Sequence, residues 1–224
     1  MISRVKLASM IDHSVLRPES TEDDVRKACI LGTSLGVAAV VVNPAHIPVV
    51  VANLKGSTVK ACSVISFPFG LSTTEAKLVE TRNVLEQGAE EVDVVMNFSA
   101  LRSGKEDYVL DEIGKITALA KSGTKKALVK VILETCYLTE SEKKQACLLA
   151  VKGGADFVKT STGFGSAGAT VEDVRLLRRM VGPNIGVKAA GGIRTLEQAL
   201  QMVEAGANRV GTSSTMSILE GIHH

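Results

Sequence analysis

The sequence predicts a parallel α/β fold, a single (β/α)8 TIM barrel formed by residues 1–224, and three observations carry that expectation. Short Val-, Ile- and Ala-rich runs alternate with amphipathic stretches along the whole chain, the order that βαβ units require. One device, a helical stretch closed by Gly-Ala and followed by a strand, recurs at Gly88-Ala89, Gly154-Ala155 and Gly206-Ala207. Aromatic residues make up only 3% of the chain and Trp is absent, so the core must be built from Val, Ile, Leu and Ala. Such side chains suit a parallel sheet wrapped by helices.

Strands are expected at residues 7–11, 37–42, 59–66, 91–96, 127–133, 157–160, 186–190 and 209–211. Eight strands in a chain of this length fit a closed barrel, whereas a doubly wound sheet has fewer strands and one switch point. The helix expected at 21–35 opens with Thr21 and a run of acidic residues, a favourable N-terminus. The next, at 73–87, sets Thr73 and Glu75 before an apolar-periodic run that stops at Gly88. Helices at 141–151, 170–180 and 195–205 stop at Gly153-Gly154, Gly182 and Gly206. No linker, low-complexity tract or break in composition marks a second domain.

Composition narrows the partners. Hydrophobic residues are 45% and charged residues 22%, and Lys and Arg are scattered with a net charge of +2, so no nucleic-acid partner is expected. No run approaches the ~18 apolar residues of a membrane span. The opening segment MISRVKLASMIDHSVL is cut by Asp12 and His13 before a signal-like apolar stretch develops, so no membrane partner and a cytoplasmic setting are expected. Cys29, Cys62, Cys136 and Cys147 form no CxxC pair and read as reduced thiols, with Cys136 placed just after a strand, where it can line a site.

In a barrel of this type the site lies at the carboxyl ends of the strands. Four charged residues interrupt strands that otherwise read as buried: Asp93 in EVDVVMN, Lys130 in LVKVILE, Lys159 in FVKTSTGF and Lys188 in GVKAAGGIR. Helices cover the outer face, so these groups must point into the barrel or its mouth, where an unpaired charge is costly. One such lysine is ordinarily a strand end or an ion-pair partner; three lysines and an aspartate on strands four to seven point to a site.

Lys159 and Lys188 fall on neighbouring strands. A free lysine has a pKa of about 10.4, so at pH 7 roughly four molecules in ten thousand carry the neutral amine. Burial and a second ammonium nearby both lower that pKa, as attack on an aldehyde or ketone requires. Asp93, across the mouth, is placed to relay protons through a water or hydroxyl. The pattern points to aldolase-like chemistry through an imine and an enamine. No metal is expected, since His13 and His46 have no ligand spacing to another histidine, and both are read as surface or supporting residues. No GxSxG elbow or Ser-His-Asp set occurs either.

After strand seven comes Gly191-Gly192-Ile193-Arg194, and after strand eight Gly211-Thr212-Ser213-Ser214. Barrels frequently bind phosphate with these two loops, where glycine lets backbone N–H groups approach the oxygens. A phosphate end there is the expectation.

FVKTSTGF (157–164), EVDVVMN (91–97), VKAAGGIR (187–194) and RVGTSS (209–214), in this order, closely resemble the deoxyribose-phosphate aldolases, a class I, Schiff-base-forming family. IDHSVLRP and VVNP fit the likeness, which runs from about Ser9 to Ser214. The resemblance implies reversible cleavage of 2-deoxy-D-ribose 5-phosphate to acetaldehyde and D-glyceraldehyde 3-phosphate, with small phosphorylated sugars and aldehydes as the only ligands. It implies no cofactor and a homodimer or homotetramer. By the same likeness Lys159 forms the Schiff base, Lys188 tunes it and Asp93 takes part in proton transfer. Asp12 matches an acidic position near the substrate hydroxyls, and Lys130 a strand-five lysine near the site. Thr162, Gly163, Gly191, Gly192, Ser213 and Ser214 match substrate- and phosphate-contacting positions.

The chain departs from some members of that family. Phe164 stands where some carry a lysine, and Val41 and Val42 stand where some carry a cysteine before Asn-Pro. The last residues, Glu220-Gly221-Ile222-His223-His224, lack the tyrosine with which some members reach into the site. Two other functions fit a phosphate-binding barrel. One is an epimerase or isomerase using a carboxylate or metal, and the other a silent barrel that binds a phosphorylated metabolite.

Overall fold

Eight parallel strands close on themselves in sequence order, each hydrogen-bonded to the next and β8 to β1. The computed structural model describes residues 2–123 and 126–222. The first half runs α1 (Arg4–Ala8), β1 (Ile11–Val15), α2 (Glu22–Leu35), β2 (Ala39–Val42), α3 (Ile47–Asn53), β3 (Lys60–Ile65), α4 (Thr74–Glu86) and β4 (Glu91–Val95). The second half runs α5 (Phe98–Arg102), α6 (Glu106–Lys121), β5 (Leu128–Ile132), α7 (Glu140–Lys152), β6 (Phe157–Lys159), α8 (Val171–Val181), β7 (Gly186–Ala190), α9 (Leu196–Glu204), β8 (Arg209–Thr212) and α10 (Thr215–Glu220).

Threonine caps set the helix starts. Thr21 with Asp24, Thr139 with Glu142 and Thr195 with Gln198 form reciprocal capping boxes at α2, α7 and α9, each cap worth about 1 kcal/mol. The first strand differs from expectation. Leu7 and Ala8 belong to α1, which Ser3 caps, and β1 begins at Ile11 and runs through Asp12 and His13. The polar pair reads as a strand end only if a strand interior must be apolar. In this barrel Asp12 takes an inward position among the charges, and His13, on the opposite face of β1, meets Thr215 of α10.

Strand alternation divides the molecule into two environments. Outward-facing Val40, Val42, Val92, Val94, Val129, Val131, Val158, Val187 and Val210 pack with helix residues such as Val25, Ile113, Ile116, Val174 and Leu177 into one continuous apolar layer. Inside the barrel, Ala39, Val41, Cys62 and Val64 of β2 and β3 make a small separate apolar cluster. The register places Asp93 beside Lys130, Lys159 beside Lys188, and Lys188 beside Arg209. The inner wall is therefore apolar along β2 and β3 and charged along β4 to β8 and β1.

One buried ion pair outside the barrel steadies the strand that carries Asp93. Lys77 of α4 donates to the Val95 carbonyl at 2.9 Å and to Glu112 of α6 at 2.6 Å, and Thr74 donates to the same carboxylate at 3.1 Å. With every charge matched, the pair ties both helices to the end of β4. No helix among the described residues is long and apolar enough to cross a membrane.

Candidate active site

Seven ionisable side chains fill the charged part of the barrel. Asp93 is fully buried and holds three lysines: Lys130 at Oδ1 (2.8 Å), Lys159 at Oδ2 (2.8 Å) and Lys188 at Oδ2 (2.6 Å). Beneath them Lys188 also pairs with Asp12 at 2.6 Å, Lys130 with Glu91 at 2.5 Å, and Arg209 bridges Asp12 (2.8 Å) and Glu91 (2.7 Å). Gly211 makes room for this packing, because a Cβ there would lie 3.0 Å from Cε of Lys188.

Three carboxylates face four cations, so one positive charge is in excess. Burial acts first on every member of the set. It pushes Asp93 up, but Lys130, Lys159 and Lys188 outweigh it and hold that carboxyl well below the usual range. Asp12 likewise is raised by burial yet held at about 2 by Lys188, Lys130 and Arg209. Burial pushes Lys188 and Lys130 down, but their carboxylate partners more than restore both, leaving each above the ordinary lysine value. Lys159 is the exception. Burial lowers it and Lys188 adds repulsion, while the carboxylate it pairs with, Asp93, is shared with two other lysines, so the net shift is downward. Of the two lysines that reach the cavity, Lys159 and Lys188, the first is the one more easily made neutral.

That cavity, of about 820 Å³, opens at the carboxyl ends of the strands. Lys159 and Lys188 lie on its floor, Thr162, Gly163 and Phe164 on one side, and Gly191, Gly192 and Ser213 on another. Gly191 and Gly192 are both left-handed (φ 92° and 78°), a conformation that favours glycine and leaves no side chain between this turn and the opening. Thr160 Oγ1 accepts from the Ala190 N–H at 3.1 Å, and Thr212 Oγ1 donates to the Ile193 carbonyl at 2.7 Å, clamping the turn from both sides. Arg17, Lys27 and Arg194 add positive charge at the rim.

Not every expected site residue reaches the opening. Asp12, Lys130 and Asp93 lie beneath the cavity floor within the ion network. Ser214 caps α10 and spends its N–H on Thr212 Oγ1 at 2.9 Å. His13, read as a surface or supporting residue, is buried on the wall and its Nδ1 pairs with Thr215 Oγ1 at 2.8 Å. Burial pushes its pKa down, which favours the neutral ring. Phe164 packs edge-on against Phe67, with ring centroids 5.3 Å apart, and Val41 completes an apolar side wall. Cys136 lies 3.8 Å from Glu134 and off the wall. Among the described residues, no group of three or more His, Cys, Asp or Glu side chains forms a metal cage. His223 and His224 lie outside the described residues.

The sequence reading missed Glu91, Arg209 and Glu134. A signal existed for Glu91, two residues before Asp93 and hence on the same face of β4.

A family model described as DeoC/LacD family aldolase matches residues 6–220. The chain belongs to this aldolase family. The deoxyribose-phosphate aldolase of Thermococcus gammatolerans is 55% identical over 217 residues, spanning 96% of each chain. That of Geobacillus sp. is 52% identical over 215 residues, 96% of this chain and 95% of the relative. Among solved structures, the deoxyribose phosphate aldolase of Aeropyrum pernix, described as a unique tetramer, superposes with a TM-score of 0.92 at 39% identity, covering 98% of this aldolase and 92% of that chain.

Proposed function

We propose that this aldolase reversibly cleaves 2-deoxy-D-ribose 5-phosphate to acetaldehyde and D-glyceraldehyde 3-phosphate through a Schiff base on Lys159. The observation that carries the reading is the surplus cation: of four positive groups around three carboxylates, Lys159 is the one with a lowered pKa and a place on the cavity floor. The names of the relatives support the substrate.

The neutral Lys159 amine attacks C1 of the open-chain aldehyde, and loss of water gives an iminium ion. Removal of the proton from the C3 hydroxyl breaks the C2–C3 bond and releases D-glyceraldehyde 3-phosphate, while the electron pair moves into the iminium to form an enamine. Protonation at C2 and addition of water then release acetaldehyde and restore the amine. Lys188, on the cavity floor, repels the ammonium form of Lys159. Asp93 contacts both nitrogens from below and takes part in proton transfer through them. Asp12 and Lys130 act by fixing Lys188 and Asp93 in place. Thr162, Gly163, Gly191, Gly192 and Ser213 would receive the substrate hydroxyls and phosphate, with Ser214 supporting the last turn.

The Aeropyrum pernix tetramer supports assembly as a homodimer or homotetramer. A cytoplasmic setting belongs to the same proposal and is supported by the free state of all four cysteines. The test is acetaldehyde release from 2-deoxyribose 5-phosphate. Release by the native protein and its loss in Lys159→Met are expected; no release, or release that survives the substitution, overturns the proposal.

A further inference from the structure

We propose that Glu134 is a positioning residue that holds the loop after β6 and, through it, the Gly191-Gly192 turn on which phosphate recognition depends. The inference rests on the aldolase reading above, in which that turn meets the substrate phosphate.

Glu134 follows β5 at the carboxyl end of the barrel, is 1% exposed and adopts the left-handed conformation at φ 55°. A side-chain-bearing residue takes that conformation at a cost and needs surrounding contacts to hold it. The contacts here lead to one residue. The Thr162 N–H donates to both carboxylate oxygens, at 3.2 and 3.3 Å, and the Thr162 hydroxyl donates to Oε2. That hydroxyl in turn accepts from the Phe164 N–H at 3.0 Å, so one carboxylate organises Thr162 to Phe164. Backbone bonds from Leu133 to the Lys159 carbonyl (2.9 Å) and from Thr135 to the Thr160 carbonyl (3.0 Å) join the two loops on either side.

The chain of contact continues into the phosphate end. The Ala169 N–H donates to the Gly191 carbonyl at 3.0 Å. A Cβ built on Gly191 would lie 3.0 Å from the Gly168 Cα and 3.4 Å from the Gly163 Cα, so the two loops touch backbone to backbone. A displacement of Thr162 therefore reaches Gly191 without passing through Lys159. Glu134 is not on the cavity wall, which argues for support of the loop and against contact with substrate. The other groups acting on its carboxyl are Lys159 and the Cys136 thiol.

The test compares Glu134→Ala and Glu134→Gln by two readouts. Hydrogen exchange across residues 160–165 in the unliganded protein needs no activity. It should speed up at least about tenfold in Glu134→Ala, and less in Glu134→Gln, whose carbonyl still accepts from the Thr162 N–H. Kinetically, Glu134→Ala should raise KM about tenfold for 2-deoxyribose 5-phosphate and change it less than about twofold for unphosphorylated 2-deoxyribose. Unchanged exchange, or an equal loss on both substrates, overturns the proposal. Should Glu134→Ala fail to fold, Glu134→Gln, which keeps the side chain's shape but weakens the acceptor, should show the same discrimination at smaller amplitude, and its absence is equally decisive. A native protein that cleaves neither sugar would sink the aldolase reading instead, and the exchange result would still decide the role of Glu134 in the loop.

Discussion

Replacing Lys188 with Met isolates the electrostatic part of the mechanism. Both ammonium groups contact Oδ2 of Asp93, Lys159 at 2.8 Å and Lys188 at 2.6 Å. The two nitrogens therefore lie no more than about 5.4 Å apart, where two like charges repel by roughly 3 kcal/mol at an effective dielectric of about 20. Removing Lys188 also leaves Asp93 free to concentrate on Lys159. Together these should raise the Lys159 pKa by about two, because one pH unit corresponds to about 1.4 kcal/mol. The neutral fraction at pH 7 then falls about a hundredfold. The assay is the pH dependence of kcat/KM for cleavage of 2-deoxyribose 5-phosphate by folded Lys188→Met. The rising limb should move about two pH units to the alkaline side, with much of the lost activity recovered at high pH. A rising limb that stays in place while the rate drops would refute the argument and show that Lys188 acts by some means other than charge.

Asp12, held near 2 against an ordinary 3.8, contributes stability that is complete above about pH 4 and lost as the pH falls toward 2, roughly 2 kcal/mol in all. Asp12→Asn should accordingly lower stability by about 3 kcal/mol near neutrality, and urea unfolding should show the gap to the native protein narrowing below pH 4. Gly168→Ala places a Cβ 2.1 Å from the Gly191 carbonyl oxygen, so the Gly191-Gly192 turn must shift and, on the proposed phosphate role of that turn, KM for the phosphorylated sugar should rise at least about tenfold, as initial-rate kinetics will show. Gly114→Ala, in the middle of α6 where a Cβ meets nothing within 4 Å, should stabilise the protein by about 1 kcal/mol in the same unfolding assay.

The barrel was legible because its signals are local. A run of Val and Ile between helix stops needs no knowledge of tertiary contacts, and β7 lies at 186–190 as the sequence predicts. β1 was not, because Asp12 looks like the end of a strand until its partners Lys188 and Arg209, nearly two hundred residues away, are known. The site divides the same way. Lys159, Lys188, Asp93 and Lys130 stand out as charges inside apolar strands. Glu91 and Arg209 occupy strand starts, where charge is unremarked, and only barrel closure turns them inward. Glu134 and its grip on Thr162 depend on a left-handed backbone conformation that no residue type announces.

The most direct measurement is reduction with borohydride in the presence of 2-deoxyribose 5-phosphate, followed by mass-spectrometric mapping of the modified peptide. A substrate-derived adduct on Lys159, absent from Lys159→Met, is the expected result. Adduct formation on Lys188 or Lys130, or cleavage of the sugar without any trapped lysine, would contradict the assignment of Lys159 as the Schiff-base residue.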